Sequence, residues 1–237
     1  MWSHPKRSID FHDYALHNPG PAGHNPGVSG PGSVEAVFSL LDYRRRIFDL
    51  YREIRECPEP QWAWRKWREV RHELFATHPQ SPIPEAERQS FEGPVYFDYD
   101  PAFRATGLVI DTEPQTYEIS TSGDGSYDFT RRGVVRFELA GSPSELEIYW
   151  LEGYGGGVFL PFRDSTAGTE TYGAGRYLLD TVKGSDLGEL YGELVLDFNF
   201  AYNPSCSYDP KWVCPLAPPP NRVDFAIWAG EKHDSEK

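Results

Sequence analysis

Two polar stretches in the C-terminal half concentrate the side chains that could do chemistry. The first runs from Phe162 to Tyr177 and carries Arg163, Asp164, Thr166, Tyr172 and Arg176 among three glycines. Glycine lets backbone approach a ligand closely. Two guanidiniums can clamp a carboxylate or phosphate through paired, charge-assisted hydrogen bonds. The same residues admit a second reading, in which Arg163 pairs with Asp164 and Arg176 with Glu170 to order a long hairpin loop. Both readings stand on sequence alone.

The second stretch opens with Asp197-Phe198-Asn199-Phe200 and runs through Tyr202, Asn203, Cys206 and Cys214 to Asn221. Side chains alternate along a strand, so Asp197 and Asn199 are expected on one face, opposite Phe198 and Phe200. On that face they either line a cavity, where burial demands partners, or meet solvent, which is simpler. Cys206 and Cys214 enclose seven residues. That is not a zinc spacing, and no second pair completes four ligands. A redox pair, a thiolate activated by His72, His78 or His233, and a structural pair of buried or bridged thiols are all open, the last being simplest. Pro204, Pro210, Pro215, Pro218, Pro219 and Pro220 restrict this loop in the folded and unfolded states alike. An irregular loop of such length is usually functional.

The common catalytic signatures are missing. There is no Gly-rich phosphate loop at a strand–helix junction, no GxSxG elbow, no HExxH and no calcium loop. The leading expectation is therefore a domain that binds a small polar or anionic ligand between the two stretches. An enzyme, of hydrolase type, is the alternative; Asp164, Asp197 or Cys206 would then be acid, base or nucleophile with a shifted pKa. A structural or interaction protein is the third. No cofactor and no metal is assigned. The histidines at 4, 12, 17 and 24 are irregularly spaced and are read as part of a solvated tail.

The elements that must position these groups change character near residue 93. Residues 1–32 are rich in Gly, Pro and Asn and read as a flexible tail. Ser33 is a good N-cap, with Glu35 in the first turn. Val37, Phe38, Leu41, Phe48, Tyr51 and Ile54 follow at helical spacing, and Pro58 and Pro60 end that helix. A second helix is expected over 61–77, with Trp67, Val70 and Leu74 on one face, and a short turn over 85–91. From Pro94 the pattern becomes short strands: 95–97, 106–111, 116–120, 134–139, 145–151, 158–162, 175–179, 194–200 and 223–228. A turn over 122–126 separates the third from the fourth. Nine short strands without crossover helices point to an antiparallel, barrel-like β domain over 93–233, behind two to three helices over 33–92, with a tail over 234–237.

Composition limits the partners. The chain has 237 residues and a formal net charge of −13. A uniformly acidic chain repels nucleic-acid phosphates and anionic lipid. No run approaches the roughly 18 apolar residues of a membrane span, and no apolar stretch follows Lys6 and Arg7 as in a secretory signal. A cytoplasmic protein is expected, and its oligomeric state is not legible.

Both stretches, together with His78-Pro79-Gln80-Ser81-Pro82-Ile83-Pro84, Tyr96-Phe97-Asp98-Tyr99-Asp100-Pro101 and the ending Asn221 to Glu231, resemble the bacterial and archaeal family catalogued as domain of unknown function 1684. The densest matches are Arg163-Asp164-Ser165-Thr166 with Gly168, Tyr172, Gly175 and Arg176, and Asn203-Pro204-Ser205-Cys206 with Cys214-Pro215-Leu216. The resemblance covers residues 35–233. It implies no activity and no catalytic residue.

Arginine outnumbers lysine, 17 to 6. Acidic, lysine-poor chains suit high salt, which screens their self-repulsion. Stability is therefore expected to rise as KCl is raised from about 0.1 M, where the Debye length is about 10 Å, towards molar concentrations. Urea midpoints across a KCl series check this, and a flat series contradicts it.

Overall fold

The computed structural model describes residues 33–153 and 155–233. The N-terminal tail with its four histidines and the last four residues lie outside them. Helix α1 spans Val34–Glu56 and starts where Ser33 accepts the Ala36 N–H at 3.2 Å. Helix α2 spans Pro60–Thr77, with Pro60 in the first turn, where no helical N–H is needed. Trp64, Trp67, Leu74 and Phe75 form its buried side. A single 3-10 turn follows over Glu85–Ser90.

The remainder is one antiparallel sheet. Its strands are β1 (Arg104–Ser120), β2 (Ser126–Leu139), β3 (Ser142–Leu151), β4 (Gly157–Phe162), β5 (Arg176–Asp180), β6 (Glu189–Leu190) and β7 (Glu193–Asp197). They lie in the order β5-β4-β3-β2-β1-β7-β6. The mainly β, antiparallel architecture behind N-terminal helices is as expected, but the sheet is open rather than closed into a barrel. The free edge of β5 is met instead by Tyr202, whose backbone exchanges bonds of 2.9 and 3.1 Å with Tyr177.

Seven strands replace the nine expected. The segments at 106–111 and 116–120 are one strand, interrupted by a register shift between Asp111 and Gln115. Residues 95–97 form only an isolated bridge, Tyr96 to Glu231. Residues 223–228 have the alternation of a strand but no ladder, because their backbone groups bond to the 163–165 loop. The strand at 194–200 stops at Asp197, whose side chain accepts the Asn199 N–H and caps a 3-10 turn over Phe198–Phe200.

The bulges decide which way the sheet faces. On β2 the register against β3 shifts between Arg131 and Gly133. One extra residue reverses the side-chain parity. Phe129 thus packs with the helices, while Val135, Phe137 and Leu139 face a second core with Leu146, Leu160, Leu196 and Phe198. A similar shift between β4 and β5 puts Tyr177 against the helices but Leu179, two residues on, in the second core. One sheet therefore supports two cores, and the boundary between them lies where residues 198–203 turn past β5.

Gly230 seals that boundary. It sits at φ +78°, and a Cβ there would lie 2.7 Å from the carbonyl oxygens of Ala201 and Phe198. Gly230→Ala must both strain the backbone and push the corner apart. A loss of about 2–4 kcal/mol in urea unfolding is expected, and an unchanged midpoint would contradict this packing.

Candidate functional site

A cavity of about 540 Å³ lies between α1, α2 and the segment from Tyr202 to Cys214. Tyr43, Ile47 and Tyr51 line it from α1, and Trp67, Arg71 and Phe75 from α2. The facing wall is Tyr202, Asn203, Tyr208, Trp212 and Cys214, with Tyr127 from β2 and Lys183 and Ser185 from the turn after β5. The rings are held in place by their polar ends: Trp67 Nε1 donates to Tyr51 Oη at 3.1 Å, and Ser185 Oγ to the same oxygen at 3.2 Å. Helices α1 and α2 thus form one wall of this cavity. The 163–176 loop contributes no lining residue.

Arg71 anchors this region. It is buried, and Nη2 donates to Glu231 Oε2 at 2.7 Å while Nε donates to Tyr96 Oη at 3.1 Å. Its guanidinium lies over Trp67, Phe75 and Tyr202. Glu231 also accepts the Asn203 N–H at 3.1 Å and an Asn203 amide hydrogen at 3.3 Å. Burial pushes the Glu231 carboxyl upward, against the pull of Arg71. One ion pair therefore joins α2, the cavity wall and the C-terminal segment.

Arg176 does not form a clamp with Arg163. Its guanidinium is fully buried and donates to the carbonyls of Ala229 and, at 3.2 Å, Ile227, and to Asp164 Oδ1 at 3.2 Å. Asp164 Oδ2 accepts from Thr166 Oγ1 at 2.7 Å and from the Ile227 N–H at 2.8 Å. The buried pair is Arg176 with Asp164, not the pairs read from sequence. It replaces the ladder that residues 223–229 lack. Arg163 is half-buried, and its backbone bonds to Asn221 and Val223. The two stretches do fold against each other, with their polar groups turned largely inward.

The other residues fall into separate networks. Asp197 and Asn199 are both buried, not solvent-facing: Asn199 Nδ2 donates to Asp197 Oδ1 at 2.8 Å and to the Asp100 carbonyl at 2.9 Å. Asn221 is buried under β3 and β4, donating to the Glu147 and Pro161 carbonyls at 2.9 and 2.8 Å. Tyr172 Oη lies 3.7 Å from Cys206 Sγ. Of the sequence candidates, Tyr202, Asn203 and Cys214 reach the cavity. Asp164, Asp197 and Cys206 share no hydrogen-bond partner. Tyr208 and Trp212 lie within the second stretch but are not among its candidates, and Arg71 and Lys183 lie outside both stretches: Arg71 reads as the polar face of an ordinary helix.

Asp197 has the strongest carboxylate perturbation outside the Arg71 network. Burial pushes it up to about 6, against the bonds from Asn199 and the charge of Arg104. Its folded value thus exceeds the unfolded value of about 3.9. The stability it contributes is complete below about pH 4 and is lost as pH rises through 6. Asp197→Asn keeps the accepting oxygen and cannot titrate. The wild type's advantage over this variant is expected to shrink by about 2–3 kcal/mol between about pH 4 and pH 8, at about 1.4 kcal/mol per unit. Urea unfolding of both proteins across pH measures it, and a constant difference contradicts it.

No curated protein matches the chain. Among solved structures, it is similar to the solution NMR structure of an uncharacterized protein of Haloarcula marismortui, with 35% identity and a TM-score of 0.54. That similarity covers 73% of this chain and 94% of the other. The family model described as protein of unknown function DUF1684 matches residues 89–232, from just after the helices to the ion-paired Glu231 and its neighbour. With more than half its length matched, the chain belongs to the DUF1684 family.

Proposed function

We propose that the protein binds a small anionic molecule with a flat apolar body in the cavity between its helices and the Tyr202–Cys214 segment. One observation carries the reading. The chain has 36 acidic and 23 basic side chains, yet among the described residues the cavity lining contains Arg44, Arg71, Lys183 and Lys211 and no Asp or Glu. Cations gathered at a concave site in an otherwise acidic molecule attract and orient an anion. Arg71 is committed to Glu231, Lys183 lies 3.5 Å from Asp180, and Lys211 lies 2.7 Å from Asp209. Arg44 is exposed and makes no ion pair among the described residues, so it is the cation most available to a ligand.

The rest of the lining suits the apolar part. Tyr43, Trp67, Phe75, Tyr202, Tyr208 and Trp212 offer ring faces and edges. Ligand pockets typically span about 300–1,000 Å³ and combine such walls with a few polar groups; this cavity falls within that range. Asn203 Oδ1, Tyr208 Oη and Trp212 Nε1 are buried without a hydrogen-bond partner among the described residues. Buried polar atoms of that kind are uncommon, and three on one wall are groups a ligand can satisfy.

Thermal shift followed by calorimetry against paired aromatic carboxylates, aromatic phosphates and their neutral analogues tests the proposal. The anions are expected to stabilise the protein by about 2.7 kcal/mol at one hundred times Kd, and the neutral analogues to bind more weakly. Arg44→Glu is expected to weaken the anions at least tenfold, about 1.4 kcal/mol, with little change in unliganded stability. No stabilisation by any anion, or equal binding by both variants, would overturn it.

A further inference from the structure

The cysteine pair stands apart from the cavity's ring-and-cation chemistry and carries its own inference. Cys214 is buried and held from both sides: its N–H donates to Ser122 Oγ at 3.1 Å, and its carbonyl accepts the Ser122 N–H at 2.9 Å. Cys206 is half-buried on the 3-10 turn over Ser205–Ser207 and interacts with Cys214. Tyr172 Oη completes the cluster, 3.7 Å from Cys206 Sγ, with its ring edge-on to His233 at 5.1 Å.

A thiol is a poor acceptor; a thiolate is a good one. Burial, then the contact with Cys206, raises the Tyr172 phenol above its ordinary value, so it stays protonated and donates. The arrangement places the Tyr172 O–H on one half-exposed sulfur that interacts with a second, buried thiol. Two thiols kept as mere packing need no such donor.

We propose that Cys206 and Cys214 form a reversible dithiol–disulfide couple, with Cys206 as the attacking sulfur and Cys214 as the resolving one. Contact with Cys214 and the Tyr172 hydroxyl holds the Cys206 thiol down to about 6, against its burial, while contact with Cys206 and then burial keep Cys214 protonated. The co-reactant is a low-molecular-weight disulfide. The Cys206 thiolate attacks one of its sulfurs, forming a mixed disulfide and expelling one small thiolate. Cys214 then loses its proton and attacks the Cys206 sulfur, closing the Cys206–Cys214 bond and expelling the second small thiol. Two protein thiols are oxidised and one small disulfide is reduced to two thiols. Closure ties the 3-10 turn to Cys214, one residue of the cavity wall. The couple does not depend on the cavity holding a ligand.

The test uses the full chain, oxidised glutathione and the third thiol, Cys57, as internal reference. After incubation and alkylation, peptide mapping is expected to show Cys57 alkylated and Cys206 cross-linked to Cys214, reversed by dithiothreitol. Cys214→Ser is expected to trap glutathione on Cys206. In untreated wild type, which needs no variant to fold, iodoacetamide alkylation of Cys206 is expected to have its pH midpoint near 6, below the ordinary thiol value of about 8.5. Glutathione remaining on Cys206 of the wild type, both cysteines staying alkylatable, or a Cys206 midpoint at the ordinary thiol value would overturn the proposal.

Discussion

The Arg71–Glu231 ion pair is the contact on which the helical side of the molecule depends. It spans 160 residues of chain and is buried at both ends. Removing either charge would leave the other uncompensated inside the protein, which costs about 3–5 kcal/mol. Glu231 further fixes Asn203 through two bonds, and the ring contacts of Arg71 fix Trp67, Phe75 and Tyr202. The shape of the cavity follows from where this pair sits. A hydrophobic pair could fill the same space, but it would not set the directions of Asn203 and Tyr96.

A second buried pair, Arg176 with Asp164, solves a different problem. Residues 223–229 cross the second core without joining the sheet, so their backbone groups need other partners. The guanidinium takes the carbonyls of Ile227 and Ala229, and the carboxylate takes the Ile227 N–H. Side chains here do the work of a strand. This explains why a stretch dense in charged and hydroxyl groups contributes nothing to the cavity lining. Facing a chain segment, that composition satisfies backbone groups instead.

The cavity lies where irregular backbone passes between the two cores. The bulges that reverse side-chain parity on β2 and β5 let one sheet serve both cores. They leave the Tyr202–Cys214 segment at the seam, facing α1 and α2. The segment carries both the unpartnered polar atoms and the thiol cluster. The family model begins after α2, so the cavity joins the family region to helices that precede it.

Much was legible without coordinates. The capping Ser33, the proline breaks, the helical spacing and the turn at 122–126 are local signals with local causes, and they placed the helices and most strands. Membership of the family was legible from long composite motifs such as Arg163 to Thr166 and Asn203 to Cys206. Strand alternation misled at 197–200 and 223–228, because side-chain capping by Asp197 and Asp164 overrode the ladder that the pattern suggested. Partner choice was not legible at all. Arg176 could have met Glu170 six residues away, but it met Asp164 because β4 and β5 pair in the register that brings them together. Arg71 reads on the helix like any surface arginine until Glu231 arrives from the far end of the chain. Local propensity and turn chemistry are written residue by residue, whereas burial and charge pairing belong to contacts made only when distant segments close on one another.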